Sequence, residues 1–292
     1  MTQPLRMAVI GGSGLYQIPG LRHTEEMHID TPFGSPSAPI LTGQLGGSRI
    51  AFLARHGWNH TLNPSEINYR ANIFALKKLG VERVFSVTAC GSLREDYQPG
   101  EIVIPDQLFD FTKHRASTFF EGGLAAHVGT AEPFCPRQNT TTAEAVEAVG
   151  GKVHRGGAFL IIEGPRFSTR LESHTFRSWG MSLIGMTAAP EAFLAREAEM
   201  CYTSLAHITD FDVWHIRDEP VSAAMVSRTL EQNIKTIHNI IEHLAANLTQ
   251  LPSDPERTCP CASALQSAFL TPRDSIPEAA RQKLLPLISR YL

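Results

Sequence analysis

At six places in this chain of 292 residues, a short apolar run stops abruptly in small or charged polar residues. The runs are 7–10 (MAVI), 50–53 (IAFL), 84–87 (VFSV), 157–162 (GAFLII), 182–186 (SLIGM) and the run that opens at Cys201. After them come Gly11-Gly12-Ser13-Gly14, Arg55-His56-Gly57, Thr88-Ala89-Cys90-Gly91-Ser92, Glu163 through Phe167-Ser168, Thr187, and Thr209-Asp210-Phe211-Asp212. Short apolar runs bounded in this way are the pattern of strands buried on both faces. Between them lie segments of helical spacing. Tyr69, Ile73, Leu76 and Leu79 line one face of 68–79, stopped by Gly80, and Leu230, Ile234, Ile237, Ile241 and Leu244 do the same within 221–246. Shorter helices are predicted over 141–149, 171–179 and 192–199, and a further strand over 101–105. The stretch 106–131, with His114, Phe119, Phe120 and His127, reads as a long irregular loop. This alternation predicts an α/β fold: a single domain with a central mixed β-sheet flanked by helices. The domain spans 1–250. A Pro/Ser linker at 251–260 leads into a helical C-terminal extension, 251–292 in all, that packs on the same domain or on a neighbouring subunit.

Composition narrows the classes. A net charge of −3 carries no basic signature of a nucleic-acid or membrane-surface binder. No apolar run is long enough to span a bilayer, and the N-terminal run before the glycines reads as a first strand rather than a secretory signal. The expected compartment is the cytoplasm. Five cysteines, an odd and scattered set, do not form a secreted disulfide framework. Cys259-Pro260-Cys261 is a C-x-C pair, but a zinc site wants a second pair and none stands near it in sequence. The pair reads as two ordinary thiols or a redox-labile couple, and no metal is expected.

In open α/β sheets the chemistry gathers beyond the carboxyl ends of the strands. The glycine turn after the first strand lacks the G-K-[ST] of a P-loop, and Gln17 breaks G-x-G-x-x-G. What remains is a set of backbone N–H groups and the Ser13 hydroxyl, which suit either an anion or a plain tight turn. Arg55 and His56 offer a planar fork and an imidazole donor for an anion, or stand as a surface and a structural residue. Strand periodicity places Asp210 and Asp212 on one side and Phe211 on the other. Three readings fit this pair: solvated acids at a strand end, a divalent-metal site, or an acid that hands a proton to a substrate heteroatom.

The motifs taken together narrow these readings. VIGGSGL (9–15), TPFG (31–34), LARHG (53–57), NYRAN (68–72), TACGSLRE (88–95), AEPFCP (131–136), IEGPRFSTR (162–170), GMTAAPE (185–191) and TDFD (209–212) occur in this order. The set resembles the trimeric type of the purine nucleoside phosphorylase superfamily, and within it the 5′-methylthioadenosine phosphorylases. The resemblance implies phosphate-dependent cleavage of a nucleoside to adenine and 5-methylthioribose 1-phosphate. It implies no cofactor beyond the co-substrate phosphate, and a homotrimer or a dimer of trimers. It assigns phosphate binding to Ser13, Arg55, His56, Thr88, Ala89 and Thr187. It assigns the purine to Phe167, Ser168, Asp210 and Asp212, with Asp210 as the catalytic acid at N7, its pKa raised by burial. Asp212 would accept from the 6-amino group, and Asp210 in place of the Asn typical of 6-oxopurine enzymes favours adenine. Met186 and Val226 would line the ribose and its 5′ group, with His127 reaching over from a neighbouring subunit. The 5′ pocket departs from the pattern at Ala223, which is small, and Ser227, which is polar, so adenosine and other 5′-substituted adenosines stay open as substrates. C-x-C tails in some members form disulfides, and the resemblance places Cys135 and Cys201 at candidate positions as well as Cys259 and Cys261.

Overall fold

The computed structural model describes residues 4–12, 15, 18–215, 223–254 and 256–292, with the backbone alone at 223–228 and 230–232. The strands are β1 (Met7–Gly11), β2 (Arg22–Met27), β3 (Ile40–Leu45), β4 (Ser48–Ala54), β5 (Arg83–Ser92), β6 (Ile102–Ile104), β7 (Gln107–Phe111), β8 (Val153–Arg155), β9 (Ala158–Ile162), β10 (Leu183–Gly185) and β11 (Cys201–Asp210). The helices are α1 (Tyr69–Lys78), α2 (Pro136–Ala148), α3 (Arg170–Ser178), α4 (Ala188–Glu197), α5 (Ala223–Ala246) and α6 (Glu278–Ile288). All the strands belong to one mixed sheet.

The sheet forks at β5. Over its first part β5 runs parallel to β1 on one side and to β11 on the other. Toward its end β5 keeps β11 and exchanges β1 for β10, which is antiparallel to it, at Leu183↔Ser92 and Ile184↔Gly91. The chain leaving β10 therefore travels back beside β5, toward Thr88. Every residue of β11 is buried, the polar Thr203, Ser204, His207, Thr209 and Asp210 included, because the strand is covered on both faces. Helices α2 and α5 pack on each other and on β11; α1 and α4 pack on each other, and α4 also packs on β11.

Local chemistry explains the helix ends. Asn68 caps α1 by accepting from the Ala71 N–H at 3.1 Å. Thr169 and Glu172 form a reciprocal capping box at the start of α3, at 3.2 and 2.7 Å. Pro136 opens α2 five residues before the helix expected from sequence, because a proline at the first helical position gives up an N–H that has no partner there anyway.

Other expectations are corrected. The small residues Thr88–Ser92 lie inside β5, not beyond it. They are narrow enough to run between β10 and β11. The stretch 106–131 is not wholly irregular: β7 lies in it, parallel to β9, with Phe109 and Phe111 packed around Trp179. Strand β2 (RHTEEM) was invisible as a strand because five of its six residues are exposed and polar, as an edge strand can be. The segment 251–260 is no free tether. Leu251 O accepts from Arg6 at 2.9 Å, and the buried Arg257 donates to Glu199 O at 2.9 Å. Within 262–292 one α-helix forms, α6; the rest is turns and short 3-10 segments.

Candidate active site

The fork in the sheet fixes what meets what. Gly91, near the end of β5, faces both acids: a Cβ there would stand 3.0 Å from Asp210 Oδ1 and 3.2 Å from Asp212 Cβ. Any larger residue there would have to push both acids back by a few tenths of an ångström. Asp210 ends β11 and is buried. Its Oδ1 accepts the Asp212 backbone N–H at 2.7 Å. Its Oδ2 lies 2.7 Å from the Thr209 hydroxyl, which also lies 3.2 Å from Cys90 O. A hydroxyl has one proton and two lone pairs, so Thr209 can donate to an ionised Asp210, or turn to Cys90 O and accept from a protonated one.

Asp212 does not share the period-2 geometry expected from sequence. It opens a 3-10 turn, Asp212–Trp214, with φ +50°. The strand has already ended, so side-chain alternation no longer applies. Asp212 is 5% exposed, and its Oδ2 is buried without a hydrogen-bond partner. Burial, reinforced by the neighbouring Asp210 charge, raises its pKa to about 6. Ser168 Oγ is a second buried atom without a partner, in the loop that also presents Phe167, 40% exposed. The Thr169 cap holds this loop at the start of α3, and α3 packs on the 3-10 turn. The Trp214 indole N–H donates to Ser92 O at 2.7 Å, tying that turn to the end of β5.

At the other end of the cluster Arg55 is 1% exposed, yet most of its fork is already used. Nε donates to Glu191 Oε2 at 2.8 Å, and Nη2 to Glu191 Oε1 at 3.0 Å and to Ser86 Oγ. Nη1 donates to Val87 O at 3.1 Å and lies against Gly12, where a Cβ would come within 2.9 Å of it. Glu191 also accepts from Ser86 Oγ at 2.9 Å and from the Tyr202 hydroxyl at 2.7 Å. Glu191, in the first turn of α4, is thus the counter-ion of Arg55. A buried guanidinium requires a counter-charge, but nothing in the sequence says which of the 29 acids supplies it.

The imidazole of His56 is likewise not the donor expected. Its Nδ1 lies 2.9 Å from Leu62 O, so the proton sits on Nδ1 and Nε2 is the acceptor. Burial and the adjacent Arg55 charge lower its pKa to about 3, which keeps the ring neutral. It stacks on His60 at 4.2 Å.

Thr88 is buried in β5, its hydroxyl 3.4 Å from Ser86 Oγ; Ala89 beside it is half-buried. Thr187 is buried at the N-cap of α4, and its side chain makes no capping bond. Met186 Sδ would lie 2.6 Å from a Cβ on Gly164. A residue the sequence reading missed holds this corner. Arg115 donates to Met186 O at 2.6 Å, Ala189 O at 2.7 Å and Glu163 O at 2.6 Å, and pairs with the Glu163 carboxylate at 3.2 Å. Arg115 sits in the stretch read as loop, with no periodicity to single it out.

Arg55, His56, Thr88, Ala89, Met186, Thr187, Asp210 and Asp212 thus lie along β5 and the segments beside it. His127 does not join them. It is exposed and lines a separate open cavity of about 470 Å³ with Thr118, Phe120, Phe193 and Glu197. Ser13 and the Val226 side chain lie outside the described residues. Among the described residues, metal-type ligands converge in a group of three or more at the four cysteines 135, 201, 259 and 261, not at the two acids. No described helix is long and apolar enough to cross a membrane.

The model of the phosphorylase superfamily matches residues 6–246. The S-methyl-5′-thioadenosine phosphorylase of Chloroflexus aurantiacus is 50% identical over 286 residues, 98% of each chain. That of Geobacter sulfurreducens is 47% identical, over 98% of this chain and 99% of its own. Among solved structures, a methylthioadenosine phosphorylase from an Antarctic soil metagenomic library superposes with a TM-score of 0.91 at 42% identity, covering 98% of this chain and 99% of that one. The Schistosoma mansoni methylthioadenosine phosphorylase, solved in complex with adenine, gives 0.87 at 32% identity over 91% of this chain and 99% of its own. The chain belongs to the phosphorylase superfamily and, within it, to the S-methyl-5′-thioadenosine phosphorylase family.

Proposed function

We propose that this protein cleaves the N-glycosidic bond of 5′-methylthioadenosine with inorganic phosphate, releasing adenine and 5-methylthioribose 1-phosphate. The observation that carries the reading is the buried, unpartnered Asp212 Oδ2 beside Asp210, with the unpartnered Ser168 Oγ and the exposed Phe167 ring in the loop next to the turn. A purine edge supplies what these atoms lack. Its 6-amino group donates to Asp212, and its face packs on Phe167. Relatives of matching length bear the same activity in their names.

In the reaction a phosphate oxygen bonds to the ribosyl anomeric carbon as the bond to purine N9 breaks. The electron pair of that bond enters the purine, and Asp210 delivers a proton to N7. Thr209 accommodates Asp210 before and after the transfer. From Val87 to Gly91, β5 spans about 13 Å at roughly 3.3 Å per residue, room for phosphate, ribose and purine in line. Phosphate sits at the Val87 end against Arg55 Nη1, Thr88, Ala89, Thr187 and the glycine turn with Ser13. His56 accepts a hydrogen from a protonated phosphate oxygen at Nε2. Phosphate is the co-substrate, and no step is given to a cofactor or metal. Met186 and Val226 line the sugar. His127, apart from the site in its own chain, serves the 5′ end of a neighbouring copy's site in a homotrimer or a dimer of trimers. We assign the enzyme to the cytoplasm, where its nucleoside substrate and phosphate meet.

The test is adenine release from methylthioadenosine by the purified protein, with and without inorganic phosphate, beside adenosine and methylthioinosine. Phosphate-dependent release, fastest from methylthioadenosine, is expected. Release without phosphate, or from methylthioinosine alone, would overturn the reading. Adenosine is the second substrate to weigh, since Ala223 and Ser227 depart from an aliphatic 5′ pocket.

A further inference from the structure

Cysteines remote in sequence meet in space. Cys135 is the N-cap of α2, Cys201 begins β11, and Cys259 and Cys261 flank Pro260 in the C-terminal extension. All four are buried, and their sulfurs lie within 4.8 Å of one another. The second pair that sequence spacing failed to show is supplied by the fold. No two of these cysteines are joined as a disulfide, and Cys201 and Cys259 stand 3.3 Å apart, sulfur to sulfur.

The geometry points to a structural zinc site formed by Cys135, Cys201, Cys259 and Cys261. Four thiolates at about 2.3 Å from a central ion form a tetrahedron with edges of about 3.8 Å. The observed sulfurs reach it by shifts of about 1 Å or less along any edge, given the 3.3 Å pair and the 4.8 Å limit. This spacing suits one ion; an iron–sulfur cluster, with several metals and bridging sulfides, needs a wider ring of ligands. All-sulfur tetrahedral coordination selects zinc among common divalent ions.

Charge completes the fit. Binding converts four thiols to thiolates, releases four protons and leaves a site of net charge −2. Two arginines are already turned toward it. Arg257 Nη1 donates to Cys201 Sγ at 3.3 Å, and Arg83 Nη1 to the same sulfur at 3.8 Å. Arg257 is fixed by Asp254 at 2.9 and 3.0 Å, and Arg83 by Pro252 O at 2.6 Å. With all four positions taken by protein, no coordination site is left for substrate, so the role is to fasten the C-terminal extension to α2 and to the start of β11. Asp210 lies at the other end of that strand, nine residues and about 30 Å on.

Zinc content of the full-length protein, purified without chelators from zinc-supplemented cells, tests this by elemental analysis. The expected result is one zinc per chain, released in step with mercurial modification of the thiols. In Cys259→Ser/Cys261→Ser zinc falls at least tenfold and the thermal midpoint drops, while the initial rate below that midpoint is retained. Should the variant fail to fold, the wild-type protein decides alone. Cobalt replacing zinc then shows the absorption of tetrahedral thiolate coordination. Four thiols that titrate freely without metal would overturn the site. So would an intact mass showing two disulfides and no metal, or zinc retained in the double variant.

Discussion

Asp212 carries two consequences at the scale of one residue. Its folded-state pKa, about 6, lies above the ordinary carboxyl value of 3.8. Between those values the folded state holds a proton that the unfolded chain has lost, so this group's contribution to stability falls as pH rises through that window. Above pH 6 the full cost of burying this charge remains, about 3 kcal/mol. Asp212→Asn is expected to raise the stability of the ligand-free protein at pH 8 by roughly that amount and to have little effect at pH 4, measured by denaturant unfolding. The same substitution replaces a charged, acceptor-only carboxylate facing the 6-amino group with a neutral amide that also donates, so kcat/KM for methylthioadenosine falls and its acidic limb near pH 6 disappears. A variant no more stable than the parent at pH 8 would contradict the burial account. Asp210→Asn keeps the shape and removes the acid. Adenine release is expected to drop by about 10²–10⁴-fold, with the loss mainly in kcat. Unchanged turnover would take the proton-transfer role from Asp210.

At the scale of elements, α4 is held to β4 and β5 by charge. Glu191, in its first turn, is the counter-ion of Arg55 at the end of β4 and receives Ser86 from β5 and Tyr202 from β11. Removing one partner of such a buried pair leaves the other charge uncompensated, at a cost of about 3–5 kcal/mol. Glu191→Gln is therefore expected to lower the thermal midpoint sharply. Added phosphate should restore more of the loss in this variant than it adds to the parent, because an anion beside Arg55 replaces the missing charge. Equal phosphate shifts in both proteins would separate Arg55 from the phosphate site. The pair also shows where sequence legibility stops. The apolar runs that became β1, β4 and β9 were readable because burial on both faces leaves a continuous apolar signature. Glu191 and Arg115 were not, because the partners of a buried charge are chosen by the fold, 136 residues away for Arg55 and Glu191. Edge strand β2 carried no signal for the opposite reason: its residues face water.

For the whole molecule, the mixed sheet and its flanking helices followed from the alternation of strand and helix patterns. The fork at β5 did not, because small residues such as Thr88, Ala89 and Gly91 read as a loop by propensity and become strand only when β10 and β11 close around them. That fork sets Thr88, Ala89 and the two acids along one strand, the order in which the proposed function needs an anion at one end and a purine edge at the other. The cysteine cluster is the same lesson at longer range, with thiols from 135 to 261 gathered by the docking of the C-terminal extension. The central claim is that phosphate, not water, takes the sugar. Phosphorus NMR of a reaction containing methylthioadenosine and limiting inorganic phosphate tests it most directly. The account predicts that the phosphate signal is replaced, one for one with adenine released, by that of a sugar 1-phosphate, and that adenine release stops when phosphate is exhausted. Adenine accumulating while the inorganic phosphate signal stays constant would contradict it.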